Sequence, residues 1–474
     1  MTTPQSLVPQ AVTTARKELF LLAARALADR RAQEPGDRLA SLVATLAADD
    51  TWMRGFIGWA RRRPVLRRLA LATAAEFLHT RLTAKLGTAA ESRRLAAQVL
   101  VRADDPGELL GYLLDRYGRS IPKPIKQAAG EAAERLYDEH ALATYDTPQT
   151  AVRFADVIAL THPKPVGKAQ NDVFQYAALR LKREHPVPDS LPILRARAEL
   201  HALPAAKRLR MLDRPDAADV FARAAMDWQQ VAIWLGGELT DKAWAAVLPA
   251  MSYRQRLARL RSFEAAGLSG EVADWLCADL AEEDSVVRGR ALPLEILAAY
   301  RAVVGSRYSW ALERALDHAP AQVPALQGRT LVLVDRGAAM ARSERGLTRA
   351  DAAAAFAAAL ALRSPAVEVV EFGPAPGRVE ISGSLLESVE RFRQPEGAHS
   401  VAQAVRAHVD GHERVIVLTH PEAAVEAAEA VTVPGHEHVI TEVNDGWFAA
   451  IPAIEQARAA TWPFQEEHDV QAGR

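Results

Sequence analysis

The spacing of hydrophobic residues divides the chain into two parts. From about Ala11 to about His318, apolar residues return at three- and four-residue intervals, with short proline or glycine breaks between the segments. This periodicity predicts a series of amphipathic helices, and the lack of a fixed repeat length indicates irregular helical repeats. Thr88 and Glu91 precede an apolar run at the spacing of a capping box, which predicts a helix start there.

A different pattern begins after the break at residues 319–328. Short runs rich in β-branched residues are typical of buried strands, and alanine-rich helical segments separate the main ones. The runs are Thr330–Asp335, Val367–Gly373, Arg414–His420 and His438–Val443, and the helical segments are Thr348–Leu362 and Ser400–Val409. Strands that alternate with helices indicate a doubly wound parallel sheet. We therefore predict a helical-repeat domain at residues 1–325 and an α/β domain at residues 326–474.

Composition and charge restrict the partners of the chain. Among its 474 residues, 58 are Lys or Arg and 59 are Asp or Glu, so recruitment of nucleic acid or membrane depends on local patches. The single cysteine, Cys277, excludes an internal disulfide and a cysteine zinc cluster, and its helical context predicts a buried structural thiol. The first ten residues, MTTPQSLVPQ, lack signal-peptide features, and no apolar run reaches the roughly 20 residues of a membrane span. We expect a cytoplasmic protein that does not contact the membrane.

A first basic segment is a candidate for contact with phosphate groups. Arg119, Lys123 and Lys126 lie within eight residues. Pro122 and Pro124 are expected to keep this segment extended before a helix begins, which suits a surface that follows a nucleic-acid backbone. A solvated loop near a helix start explains the same pattern.

A second basic segment carries His162, Lys164 and Lys168 on a proline-stiffened loop that follows the predicted helix RFADVIAL. A histidine there can stack on a base or donate to a phosphate without being catalytic. The alternative is a histidine that satisfies backbone carbonyls at the helix end. Arg153, earlier in the same element, would add a further positive charge to this surface.

A third basic segment, RGFIGWARRRPVLRR, includes Arg61, Arg62 and Arg63 and lies beside Trp52 and Trp59. Aromatic and guanidinium planes both stack on unpaired bases, so this segment is a candidate surface for single-stranded RNA. Tryptophans packed between helices, with arginines on the solvent side, explain the pattern equally well.

Several stretches, taken in order, resemble one protein family. Tyr117–Asp146, Val152–Pro165 (VRFADVIALTHPKP) and the later WAAVLPAMSYRQRLARLRSFEAAGLS, LPLEILAAYRAV and VPALQGRTLVLVDRGAAM are similar to TROVE-domain proteins, the bacterial relatives of the Ro autoantigen. The resemblance implies a mostly α fold, in which a ring of irregular HEAT-like helical repeats is closed by a doubly wound von Willebrand factor A-like domain. Members bind small noncoding RNAs, the Y RNAs, on the outer surface, where the histidine matching His162 lies, and pass single-stranded ends of misfolded RNAs through the ring.

The resemblance also implies partners. These are noncoding RNA and an exoribonuclease, in a ribonucleoprotein of RNA quality control or processing, and no DNA. One departure weakens the Y-RNA expectation: relatives place a lysine where this chain has Thr144, and the arginine of animal members is missing from TPQT. Because phosphate contacts supply much of RNA affinity, binding of Y RNA is less strongly predicted than RNA binding in general.

By the same resemblance, the α/β domain has lost a metal site. A metal-ion-dependent adhesion site uses Asp-x-Ser-x-Ser, a threonine and a later aspartate as oxygen ligands for Mg²⁺. Here Asp335 remains, but Gly337 and Ala339 replace both serines, His420 replaces the later aspartate, and Gly397–Ser400 replaces the threonine loop. We therefore expect a degenerate site with no metal and no cofactor.

Two other features of this domain leave alternatives open. The charge of Asp335 is expected to be balanced by the adjacent Arg336 or by backbone N–H groups at the next helix start. His436 and His438 place two imidazoles on one side of a strand, which suits either a transition-metal site or a surface strand.

The sequence contains no Gly-x-Ser-x-Gly elbow, phosphate-binding Gly-Lys-Ser/Thr loop or His-Glu-x-x-His helix. We expect an RNA-binding scaffold and not an enzyme. The alternative is a protein-interaction scaffold of the same fold with reduced RNA affinity, which the lost metal ligands and Thr144 favour.

Overall fold

The computed structural model describes residues 9–29, 36–180, 185–344, 346–431 and 433–465. Packing divides the chain into two compact units, of which the first comprises residues 1–236 and 456–474 and the second residues 237–455. Most of the N-terminal segment considered for a signal peptide lies outside the described residues. The domain limits 1–325 and 326–474 remain a proposal, since they mark where helices give way to strands and not where the two units divide.

The first unit is built from helices. In chain order these are α1 Gln10–Ala28, α2 Asp37–Thr45, α3 Asp50–Arg61, α4 Arg67–Thr83, α5 Ala89–Val99, α6 Asp105–Tyr117, α7 Lys123–Leu136, α8 Glu139–Tyr145, α9 Phe154–Thr161, α10 Lys168–Leu179, α11 Pro192–Ala202, α12 Ala205–Met211, α13 Ala217–Arg223 and α14 Trp228–Leu235. The predicted capping box begins α5: the Thr88 hydroxyl accepts from the Glu91 N–H at 3.2 Å, and the Glu91 carboxylate accepts from the Thr88 N–H at 2.7 Å. Neighbouring helices pack their apolar faces together, notably α5 on α7, α7 on α9 and α9 on α10.

The C-terminal segment completes an aromatic cluster of the first unit. The ring of Trp462 lies 5.4 Å from that of Phe20 on α1, and the ring of Phe464 lies 5.6 Å from that of Trp52 on α3. A β-carbon at Gly55 would clash with the ring of Phe464, so glycine is required for this close approach. Residues near both ends of the chain therefore share one core.

The second unit combines helices with a sheet. Its elements are α15 Asp241–Val247, α16 Tyr253–Ala258, α17 Leu260–Ala266, α18 Gly270–Ala281, α19 Glu283–Gly289, α20 Pro293–Val303, α21 Ser309–His318, β1 Thr330–Asp335, β2 Ser343–Glu344, β3 Leu347–Thr348, α22 Arg349–Arg363, β4 Val367–Phe372, β5 Gly377–Arg378, α23 Leu385–Glu390, α24 Val401–His408, β6 Arg414–Leu418, α25 Ala424–Ala430 and β7 Glu437–Ile440. The last helix, α26 Trp447–Ala459, spans the point at which the chain passes back to the first unit. Cys277 is buried in α18, as predicted.

The sheet has the strand order β5-β4-β1-β6-β7. β4, β1, β6 and β7 are parallel, which confirms the predicted doubly wound arrangement, and the short β5 adds an antiparallel edge. The central strand β1 is buried throughout and ends at Asp335. β7 ends at Ile440, three residues before the predicted limit. Among the described residues, no helix is long and apolar enough to cross a membrane.

Candidate nucleic-acid interface

The first basic segment meets the start of α7. Arg119 is exposed in the connection after α6, and Lys123 is exposed as the first residue of α7, while Lys126 is half-buried one turn later. The prediction that this segment stays extended is wrong beyond Pro122. Pro124 occupies the second position of the helix, where a missing N–H breaks no helical hydrogen bond.

The positive charges of Lys123 and Lys126 do not stabilise the start of α7. Its first turn contains no acidic residue, and no side chain caps its N–H groups. A helix N-terminus carries partial positive charge, so a lysine there is unfavourable by roughly 0.3–1 kcal/mol. An anionic ligand would reverse that effect, since the positive end of the helix and its lysines both favour a phosphate.

The second basic segment is the connection between α9 and α10. His162, Lys164 and Lys168 are all exposed. His162 ends α9 in the left-handed conformation, with φ 50° and ψ 55°. That conformation is disfavoured for a residue with a side chain, and also for a residue that precedes proline. Lys168 opens α10, whose first turn again lacks an acid and a side-chain cap.

Helix α7 brings the two segments together. Lys126, Gly130 and Glu134 are four residues apart and therefore share one face of α7. A β-carbon at Gly130 would lie 3.3 Å from that of Thr161, which precedes His162, and the Glu134 carboxylate accepts from the Lys164 N–H at 2.6 Å. The α9–α10 loop thus follows the face of α7 that begins at Lys126.

We use the name basic row for the predicted basic residues of α7, the α9–α10 loop and the start of α10. Its members are Lys123, Lys126, His162, Lys164 and Lys168, with Arg119 at its first end. From Lys123 to the level of Glu134, α7 rises about 16 Å. Several phosphates of one RNA strand fit along that length.

Arg153 has a different role from the one predicted. Its guanidinium donates to the carboxylate of Asp146 at 3.2 Å and 3.3 Å, and its side chain is 21% exposed. The buried Asp146 also accepts from Arg180 and from the Phe154 N–H. Because its charge is already neutralised inside the fold, Arg153 is not included in the basic row.

The third basic segment is largely internal, which corrects the prediction of a base-stacking surface. Trp52 and Trp59 are each 2% exposed, so neither ring face is open to a base. Arg61 donates to Asp105 at 2.7 Å and to the Val99 carbonyl at 2.8 Å. The guanidinium of Arg63 lies 4.1 Å from the ring centre of Trp59 and donates to its carbonyl. Of Arg61, Arg62 and Arg63, only Arg62 is exposed.

Two residues beside the loop were not predicted from the sequence. The Gln170 side chain accepts from the Val166 N–H at 2.6 Å and donates to the carbonyls of Glu134, in the last turn of α7, and Tyr137, which follows it. Val166, the apolar tip of this loop, is 77% exposed. The signal for Gln170 was its place as the third residue of α10, where glutamine commonly reaches back to a preceding N–H.

In the α/β unit, Asp335 is satisfied by protein groups. Its carboxylate accepts from the Gly337 N–H at 2.7 Å and the Thr419 hydroxyl at 2.5 Å, and lies 3.0 Å from Nε2 of His399. His420 is more distant, at 3.8 Å. Of the two predicted ways to balance the charge of Asp335, the structure shows the backbone N–H group. The side chains of His399 and Thr419 contact the same carboxylate.

Arg336 does not balance Asp335 directly. Its guanidinium donates to the carbonyls of Ala350 and Arg393. The residues at this site do not fit Mg²⁺, because the oxygens of Asp335 are already engaged and the two serine hydroxyls are absent. No group of three or more potential metal ligands was found in the part of the chain that the structure describes.

His436, just before β7, and His438, within it, share a carboxylate. His438 lies 2.9 Å and His436 3.2 Å from Glu455, which also receives a two-pronged ion pair from Arg414 at 2.6 Å and 2.7 Å. Burial raises the pKa of Glu455, but hydrogen bonds from Arg414 and His438 outweigh burial and lower it to about 2. These histidines therefore belong to an ion-pair cluster around Glu455 and not to a transition-metal site.

No protein-family model and no curated protein matches the chain. The crystal structure of the Ro (RSR) protein of Deinococcus radiodurans is similar to it, with a TM-score of 0.67 and 16% sequence identity, over 90% of this chain and 94% of that chain. The resemblance stated from the sequence is thus confirmed as a likeness of fold, with helical repeats followed by an α/β sheet. At this identity the likeness establishes the fold alone.

Proposed function

We propose that this chain, which shares its fold with the Ro protein, binds RNA through the basic row of its first unit. The proposed ligands are small noncoding RNA of the Y type and the single-stranded ends of misfolded RNA. Binding, and not catalysis, is the proposed activity.

One observation carries the proposal. The starts of α7 and α10 each begin with a lysine and lack both an acid and a side-chain cap, and the exposed α9–α10 loop, which leads into α10, lies against the C-terminal half of α7. Each helix start is electrostatically unfavourable alone and becomes favourable when a phosphate binds. The alternative reading of solvated loops explains the exposure of these lysines but not their position at uncapped helix starts.

Binding can be tested first on the purified protein. After a high-salt wash and re-equilibration with a labelled stem-loop RNA bearing a single-stranded tail, affinity is measured against salt. The four lysines of the basic row predict a slope of about −3 for log Kobs against log salt on single strands. A slope near zero would show that the lysines do not contact phosphate.

The site can be tested with the triple variant Lys123→Ala, Lys126→Ala, His162→Ala. Its affinity is expected to fall at least tenfold, and its salt slope to become shallower by about 1.4, because two lysines are removed. The matched control is Lys85→Ala with Lys207→Ala, which removes two exposed lysines of the same unit that are not members of the basic row. Equal affinity of wild type and triple variant would remove the site assignment, and equal losses in both variants would indicate non-specific attraction.

The finer parts of the proposal concern biological setting. We propose a cytoplasmic ribonucleoprotein that takes part in RNA quality control or processing and works with an exoribonuclease. Crosslinking and sequencing of co-purifying RNA tests this setting. Recovery of one small structured RNA supports Y-type binding, whereas recovery of many RNA ends supports the misfolded-RNA role.

A protein-interaction scaffold is the second candidate. The Asp335 site is satisfied by His399, Thr419 and a backbone N–H, so it no longer needs a metal. Purification free of nucleic acid, together with a salt-insensitive protein partner, would favour this function over RNA binding.

A further inference from the structure

Between His162 and Val166, every backbone N–H of the α9–α10 loop donates to a protein group. From His162 to Val166, the N–H of His162 donates to the Ile158 carbonyl, that of Lys164 to the Glu134 carboxylate and that of Val166 to the Gln170 side chain. The two intervening residues are prolines, which have no N–H. The backbone of this loop is therefore fixed, while its cationic side chains point into solvent.

Gln170 is the residue that joins this loop to the two flanking helices. Its carbonyl oxygen accepts from Val166, and its amide nitrogen donates to the carbonyls of Glu134 at 2.8 Å and Tyr137 at 2.9 Å. Both carbonyls lie at the C-terminal end of α7, where helical carbonyls have no partner within their own helix. One side chain thus links the end of α7, the loop and the first turn of α10.

The conformation of His162 requires such support. A non-glycine residue in the left-handed region, followed by proline, keeps that conformation only where its surroundings determine it. The Glu134 and Gln170 contacts hold the chain on the C-terminal side of His162, and α9 holds it on the N-terminal side. The backbone that carries the His162 imidazole and the Lys164 side chain is consequently held in place before any ligand arrives.

We propose that Gln170, assisted by the Glu134 carboxylate, is a positioning residue for RNA binding: it presets the loop of His162, Lys164 and Lys168 as a rigid surface for phosphate groups. The inference rests on the proposed function. Without Gln170, RNA must order the loop as it binds, and that ordering reduces affinity.

The first test replaces Gln170 by methionine, which has a similar shape and no amide. Affinity for the labelled stem-loop RNA with a single-stranded tail is expected to fall roughly three- to tenfold. Amide exchange at Lys164 and Val166 is expected to accelerate. The matched control, Gln229→Met, changes an exposed glutamine of α14 and should alter neither.

A double-mutant cycle separates positioning from general support of the fold. In a His162→Ala, Lys164→Ala, Lys168→Ala background, Gln170→Met should cost less than twofold, because the side chains it positions are gone. An equal loss in both backgrounds overturns the inference. Wild-type binding with unchanged affinity in Gln170→Met overturns it while leaving RNA binding intact, whereas a wild type that binds no RNA overturns the proposed function itself.

A second pair of variants guards against misfolding of Gln170→Met. Glu134→Gln keeps an acceptor for the Lys164 N–H and should bind RNA at least as tightly as wild type, since it also removes a negative charge beside the phosphates. Glu134→Leu removes the acceptor and should lose affinity by a similar three- to tenfold. Equal affinity of the two Glu134 variants contradicts a preset loop.

Discussion

Replacement of His162 by glycine separates the backbone of this residue from its imidazole. At φ 50°, a side-chain-bearing residue carries a cost of roughly 1–2 kcal/mol that glycine avoids, and glycine adds roughly 0.5–1 kcal/mol of unfolded-chain entropy. The net change in stability therefore lies between about zero and 1.5 kcal/mol in favour of the variant. For a unit of this size, that is a rise in Tm of at most a few degrees.

RNA affinity is expected to move in the opposite direction. Loss of one base-stacking aromatic group costs roughly 1–3 kcal/mol, which is about a fivefold or larger fall in affinity. The assay pairs a thermal melt with fluorescence anisotropy on the labelled stem-loop RNA. His162→Asn, which tolerates the left-handed conformation, should show the same loss of affinity without the flexibility of glycine.

Lys85→Gly is the matched control, because Lys85 is exposed with φ 56° and lies between α4 and α5. It relieves the same backbone strain and removes a cation, so its Tm should change like that of His162→Gly while its RNA affinity stays within twofold of wild type. If His162→Gly gains stability and keeps full affinity, His162 is only a helix cap, and the reasoning about the basic row is refuted.

Three further outcomes follow from buried contacts. The pKa of Glu455 is lowered to about 2 from an ordinary value of 4.5, so its ionised carboxylate contributes roughly 3 kcal/mol to the free energy of unfolding. That contribution is complete above pH 4.5 and is lost as pH falls towards 2. Glu455→Gln should therefore lower Tm at pH 7 and flatten the acid limb of a Tm–pH curve, and an unchanged limb contradicts the ion-pair account. Millimolar Mg²⁺ should leave the melting curve unchanged, since a ligand bound only by the native state raises stability, and a clear upward shift would restore the metal site at Asp335. Arg61→Ala should destabilise the first unit by roughly 1–3 kcal/mol, because it removes one of the two guanidinium groups that pair with the buried Asp105 while Arg67 remains. Arg68→Ala, at an exposed arginine of the same segment, should change the chemical-denaturation midpoint little, and similar effects in both variants would show that Arg61 is not structural.

Local patterns predicted the elements of this protein well. Thr330–Asp335 is a strand as predicted, because a continuous apolar run with β-branched residues between turn signals suits the centre of a parallel sheet. The error at Pro124 has a simple cause: proline is disfavoured in the interior of a helix but tolerated in its first turn. The sequence therefore predicted the exposed basic region correctly but placed Lys123 and Lys126 in an extended segment, whereas they lie at the start of α7.

Contacts between residues that are far apart in the chain could not be predicted from the sequence. Arg61 and Asp105 are 44 residues apart, and His399 and Asp335 are 64 apart, so no spacing rule connects either pair. An arginine in a basic run looks the same whether it faces a phosphate or a buried aspartate. Only the packing of helices distinguished the free lysines of the basic row from the neutralised Arg61 and Arg153.

The shared aromatic cluster at the two ends of the chain has a consequence for biosynthesis. Phe20 and Trp52 leave the ribosome early, but Trp462 and Phe464, which cover them, are made only after the whole second unit. The first unit therefore cannot complete this cluster before the second unit has been synthesised, and a chain truncated ahead of Trp462 leaves an apolar surface of α1 and α3 uncovered.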